Sequence, residues 1–274
     1  MPFVVFGVFT SIFLFCIASS ATRYNGNVLT FTNTIQNFSA ASGNRTVQQI
    51  YGKYKISNRT SITLDAISMN VTKLDDTMQP DNYGSSIGFG GGLKYTPLFN
   101  SKLDFVGNFL VSNTDNFLPQ FKIGGGIKVK SIPAYGIIAI PRIDHMTYRN
   151  GTSILMPSIE VIKYFKTPHP YFVVQQVVLR DMISNPKSQH SLSSKLITSI
   201  GIKEKFSSNM FVEFGRTNYY DVVLAKQNIS FGYYGFGSRL EYHFMKYLSG
   251  FIGYESYKNQ YYNTKIINAG FLYN

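Results

Sequence analysis

The chain has 274 residues, with 26 Lys+Arg against 14 Asp+Glu for a formal net charge of +12, 23 Phe, 20 Tyr, 23 Gly, no Trp and one Cys. Charged residues make up only 15% and the apolar share is rich in aromatics and glycine, which excludes a disordered chain, a helical bundle and a disulfide framework. The length suits one large all-β unit.

The N-terminus comes first. Residues 1 to 22 carry no charged side chain, and an apolar core from Phe3 to Ile17 leads into Ala18-Ser19-Ser20-Ala21, the small-residue pattern that signal peptidase needs. Segment 1–21 is therefore expected to be a cleaved signal peptide and 22–274 the mature protein. The alternative is a retained N-terminal membrane helix, since the first residues lack the usual Lys or Arg. Cys16 lies inside the leader, and Phe15 before it is unlike the small residue that precedes a lipoprotein cysteine. A mature chain without cysteine has no thiol redox chemistry and no thiolate metal site. No cofactor is expected.

Beyond residue 23 the recurring period is two. Strands are expected near 24–35, 46–56, 60–71, 84–95, 101–112, 119–131, 135–147, 153–165, 170–180, 191–204, 209–219, 229–243, 247–257 and 263–273. In the fourth, Ile87, Phe89, Gly91, Leu93 and Tyr95 alternate with glycines and Lys94. In the fifth, Leu103, Phe105, Gly107, Phe109 and Val111 oppose Lys102, Asp104 and Asn108. Phe121, Ile123, Ile127 and Val129 face away from Lys122, Lys128 and Lys130 in the sixth. The pattern returns in Tyr234 to Phe244 against Arg239, Glu241 and His243, and closes with Ile267, Ala269, Phe271 and Tyr273. Pro141 and Pro157 each remove a ladder donor, so a bulge or an earlier loop is expected at the seventh and eighth strands.

Alternation of this kind suits a transmembrane β-barrel or a soluble sandwich. The connections separate them. Short links near Ser57-Asn58-Arg59, Thr96-Pro97-Leu98, Ile132-Pro133-Ala134, Thr167-Pro168-His169, Ser207-Ser208-Asn209 and Met245-Lys246-Tyr247 recur roughly every 35 to 41 residues. Between them lie longer polar links at 36–45, 72–84, 113–118, 148–152, 181–190, 220–228 and 257–262. Short turns at one end and longer loops at the other organise bacterial outer-membrane barrels. Aromatics near strand ends, such as Tyr95, Phe99, Phe165, Tyr171, Tyr242 and Tyr247, suit interfacial girdles. The expected fold is a single antiparallel transmembrane barrel of about fourteen strands, with twelve as the alternative.

Several phrases carry a family resemblance: Ser42-Gly43-Asn44-Arg45 leading into a strand, Asn113-Thr114 followed by Gln120-Phe121, and the final two-hairpin stretch from Arg239 to Tyr273. Together they resemble the YaiO family of outer-membrane β-barrels. The resemblance implies a surface-exposed barrel in a Gram-negative outer membrane, with a role connected to surface polysaccharide. One departure is Asn274 after Tyr273, because such barrels usually end on an aromatic residue read by the barrel-assembly machinery.

Catalytic patterns are weak. His190-Ser191 are adjacent and so point to opposite faces of a strand, and Asp75-Asp76 and Asp144-His145 are contiguous where one cleft needs alternate residues. Asp75, Asp76 and Asp81 lack the fixed spacing of a calcium loop. Gly90-Gly91-Gly92 and Gly124-Gly125-Gly126 lack the Gly-Lys-Ser/Thr of a phosphate loop. An enzyme is not expected, though a barrel hydrolase remains the third option. Nucleic acid is not expected either, because the cations are scattered at alternate strand positions. That parity turns Lys94, Lys102, Lys122, Lys128, Lys130, Arg142, Lys195, Lys203 and Arg239 into the lumen. Asp104, Asp144, Glu160, Glu213, Glu241 and Glu255 share it. Excess positive charge there predicts a pore or facilitator for small hydrophilic, anionic or saccharide-like solutes. The alternative is a closed barrel whose outer loops bind a partner. Outer-membrane lipid and the assembly machinery are the expected partners.

Overall fold

A computed structural model describes residues 27–38, 44–74, 80–113, 118–132, 136–148, 151, 153–185, 189–203, 205–220, 228–259 and 263–273. The expected leader, 1–21, lies outside the described residues. Fourteen strands follow in order: β1 (Val28–Phe38), β2 (Asn44–Lys55), β3 (Thr60–Leu74), β4 (Pro80–Tyr95), β5 (Leu103–Ser112), β6 (Phe121–Ile132) and β7 (Ile137–Thr147). The second half holds β8 (Ser153–Phe165), β9 (Tyr171–Asn185), β10 (Gln189–Ile202), β11 (Phe206–Tyr220), β12 (Asn228–Met245), β13 (Leu248–Asn259) and β14 (Asn263–Tyr273).

Each strand pairs antiparallel with its chain neighbours, and β14 returns to β1 with Phe271 opposite Phe31 and Ile267 opposite Ile35. The sheet closes as a fourteen-stranded barrel, so the twelve-strand alternative falls away. Closure leaves no unpaired edge, which satisfies the backbone without water.

The two faces differ as a membrane demands. Leu64, Phe89, Phe109, Phe214, Phe236 and Phe271 stand exposed on the outside. On the inside, Thr32, Gln36, Asp104, Glu213, Arg239 and Glu255 are buried. A soluble protein inverts this arrangement. Tyr54, Phe99, Phe165, Tyr171, Tyr242 and Tyr247 ring the turn end, where interfacial aromatics belong.

One expectation needs correction. The links at the loop end are not much longer than those at the turn end, because the strands continue into them. β3 and β4 stay paired as far as Leu74 opposite Pro80, and β9 and β10 as far as Ser184 opposite Gln189. The sequence loses its apolar–polar alternation there while the ladder goes on. The expected irregularity at the prolines is present on the flanking pairings, with a register shift between Val129 and Ile132 of β6 opposite β7. β7 and β8 keep one register throughout, with Pro141 opposite Ile159 and Pro157 opposite Ile143. The missing donors show on the outer neighbours instead. Pairing between β6 and β7 skips from Gly126↔Arg142 to Val129↔Ala139, and that between β8 and β9 from Leu155↔Ile183 to Ser158↔Arg180.

Candidate functional site

The lumen is the concave, polar surface of the molecule, and its lining falls into two parts. From β10 to β14 it is tightly packed. Lys195 Nζ lies 3.3 Å from Glu213 Oε2 and 3.7 Å from the centre of the Phe211 ring. The Tyr233 hydroxyl donates to Glu213 at 2.9 Å, and that of Tyr257 to Glu255 at 3.1 Å. Arg239 stacks on the Phe251 ring at 3.5 Å and sits 3.8 Å from Glu241. A cation over an aromatic face, with a carboxylate beside it, is how a charge is kept inside a poorly solvated wall.

Glycine makes this packing possible. Tyr257 lies over Gly235, Phe211 over Gly237, Phe251 over Gly270 and Tyr233 over Gly215, so any Cβ there would collide with a ring. These four rings therefore pack against the wall beside their glycines. The same device recurs on β6, where Asp144 and Asn108 lie over Gly124.

From β2 to β8 the lining is more basic and more open. Asp144 accepts two bonds from Arg142 at 2.8 and 2.9 Å, and Arg142 also donates to Asn108 at 2.5 Å. Lys122 lies 3.9 Å from Asp144, and Gln49 donates to Asp65 at 2.9 Å. Towards the turn end Asp104 is fully buried, accepting from the Thr96 hydroxyl at 2.5 Å and pairing with Lys130 and, at 3.3 Å, with Lys94. Lys94 keeps 42% of its side chain exposed and Lys130 32%, so this part of the lining meets water. At the loop end, just past β7, burial pushes the Tyr148 phenol well above its usual range, so it stays neutral.

Among the residues singled out from sequence, Lys94, Asp104, Lys122, Lys128, Lys130, Arg142, Asp144, Glu160, Lys195, Glu213, Arg239, Glu241 and Glu255 lie on the inward face by register and burial. Lys102 and Lys203 do not. Each sits exposed in a turn, because β5 begins at Leu103 and β10 ends at Ile202, one residue short of the strand positions their parity assumed. Arg45, Lys53, Asp65 and Arg180 were missed, although the same parity rule applied to β2, β3 and β9 finds them. The inward aromatics were missed too; each sits directly opposite a glycine of the adjacent strand, Tyr233 opposite Gly215, Phe211 opposite Gly237, Tyr257 opposite Gly235 and Phe251 opposite Gly270.

Asp75 and Asp76 lie outside the described residues. Asp144 and His145 point to opposite faces, as do His190 and Ser191. Cross-strand pairs that contiguity cannot reveal do occur. His190 Nδ1 is 2.7 Å from Asp181 on the outer surface. His243 Nδ1 is 2.6 Å from Ser249 Oγ, with Nε2 3.8 Å from Glu241. Ser249 is fully buried, so its hydroxyl has no approach for a substrate.

No protein-family profile matches the chain, and no curated protein matches it in sequence. Solved structures match its fold. The translocator domain of the autotransporter NalP from Neisseria meningitidis is 10% identical, with 97% of this chain and 95% of that one covered at a TM-score of 0.53. A Pseudomonas aeruginosa FadL homologue is 6% identical, covering 91% and 90% at 0.53. A structure described as a bacterial polysaccharide outer membrane secretin is 6% identical, covering 91% and 99% at 0.52. At such identities the likeness is one of fold. Together with the apolar exterior and polar interior, it makes this chain an outer-membrane β-barrel.

Proposed function

We propose that the protein is exported with a cleaved leader over residues 1–21 and acts, without catalysis, as a pore or facilitator for small hydrophilic solutes, with a preference for anions. The observation that carries this reading is the water-reaching lysine lining at Lys94 and Lys130. Excess positive charge in a confined aqueous space raises the local concentration of anions. The remaining cations and carboxylates noted from sequence shape that field: Lys122, Lys128, Arg142 and Glu160 beside the open sector, and Lys195, Arg239 and Glu241 in the packed one. The YaiO-like phrases add a saccharide-like solute and a link to surface polysaccharide, and a barrel of this kind is inserted by the barrel-assembly machinery.

Liposome swelling tests the proposal. Reconstituted protein should admit gluconate faster than a cationic sugar of similar size, such as glucosamine. Equal rates for the two sugars would remove the anion preference. Absence of swelling with protein shown to be folded by its heat-modifiable gel mobility would sink the pore. A closed interaction barrel is the second reading, and a specific observation favours it. Leu118, within the β5–β6 link, is buried among Val47, Ile67, Met69 and Leu110, an apolar cluster inside the loop-end mouth.

A further inference from the structure

We propose that the turn-end mouth of the lumen holds a binding site for phosphate-bearing anions, formed by Lys94, Lys128 and Lys130 with Lys53 beside them. The site rests on the anion-pore reading above and gives it a location and a solute class. Three neighbouring strands assemble it. Lys94 lies at the turn end of β4, Asp104 near the start of β5, and Lys128 directly opposite Asp104 on β6, with Lys130 two residues further along. Lys53 on β2 is close enough for its charge to act on Lys94 and Lys128, and Lys128 on Lys94 and Lys130.

Positive charge here exceeds what the wall supplies against it. Asp104 is already shared between Lys94, Lys130 and the Thr96 hydroxyl, which also contacts Lys130 at 3.4 Å. Glu160 acts on Lys128 but also on Arg142. The packed sector differs, because Lys195 has Glu213 and Arg239 has Glu241 at ion-pair distance. Several ammonium groups held around one carboxylate are best satisfied by a small, multiply charged anion from solution.

The chemistry narrows the anion further. The cluster is built from lysines, compact point charges without the planar fork that grips a carboxylate or a phosphate in two bonds, so it selects for the amount of negative charge and not for a planar shape. Three or four such charges converging from adjacent strands suit a phosphate group, which carries more than one negative charge and spreads it over several oxygens. Lys94 and Lys130 reach water, so the group can enter without rearrangement of the wall.

Pyrophosphate is the probe. The full chain, refolded in a zwitterionic detergent, is titrated calorimetrically, and its folding is verified by heat-modifiable gel mobility. Wild-type protein should show saturable binding. Lys94→Gln and Lys128→Gln should each weaken it about tenfold through loss of one nearby charge. Lys258→Gln, on the outer face near the loop end, should leave it unchanged. Lys128 serves as the second variant because, unlike Lys130, it is not bonded to the buried Asp104. Absence of saturable binding in the folded wild-type barrel, or binding indifferent to Lys94→Gln and Lys128→Gln, overturns the site. The two readings fail separately. A barrel that conducts ions without binding pyrophosphate loses the site and keeps the pore, and one that binds it but never conducts loses the pore and keeps the site.

Discussion

Asp104 shows what a single residue does in this wall. It is fully buried, yet its partners Lys94 and Lys130 are about one-third exposed or more, so their pairing is partly screened by water. Asp104→Asn is therefore expected to cost about 1–2 kcal/mol, read from the urea midpoint of the folded barrel, and to increase anion selectivity. Glu213 is the contrasting case. Its partner Lys195 is buried with it, and Tyr233 and Tyr257 both donate to its carboxylate. Glu213→Gln leaves a buried ammonium uncompensated and should cost about 3 kcal/mol in the same measurement. A change smaller than that for Asp104→Asn would mean that the packed sector is wetter than its geometry indicates. At this scale the inward charges on long strands were legible, because a regular neighbour fixed their parity. Lys102 and Lys203 were not, since one residue of boundary error moves a side chain from strand to turn. The His243–Ser249 and His190–Asp181 pairs were also illegible, because they depend on cross-strand register and not on sequence proximity.

Elements are held by what lies on each face. Phe109 stands on the outer face of β5 near mid-height, where a charge must enter lipid, and Ser199 faces the lumen from β10. Phe109→Arg should cost about 2–4 kcal/mol and Ser199→Lys less than about 1, compared by refolding into vesicles. Comparable costs for both would contradict the assignment of faces. A second test concerns glycine on β12. A Cβ at Gly235 runs into the Tyr257 ring, so Gly235→Val should force that ring off the wall and cost about 1–3 kcal/mol. Cutting Tyr257 back to Ala in the same chain should recover part of the loss. The core of each strand was legible because aromatics, charges and glycines keep strict alternation there. Strand ends were not. Polar residues beyond the membrane obey no alternation, yet the ladder persists to Leu74 opposite Pro80. The glycine–aromatic stacking was equally hidden, because it needs to be known which residue of β13 faces which residue of β12.

At the scale of the whole molecule, closure and charge distribution set the behaviour. Fourteen strands with β1 sealed to β14 leave a lumen that side chains pack on one side, while the other is lined by lysines towards the turn end and by buried apolar clusters towards the loop end. The barrel could be counted from the sequence because its hairpins recur at nearly constant spacing. The division of its lumen could not, because it depends on which side chains pack against which glycines around the circumference. The proposed anion pore requires the lysine-rich side to be a continuous aqueous path. Single-channel recording of the refolded chain in a planar bilayer under a salt gradient tests it most directly. Steady openings with a reversal potential towards anion selectivity, reduced in Lys94→Glu, are the predicted result. A folded barrel that stays silent, or conducts with cation preference, would contradict it.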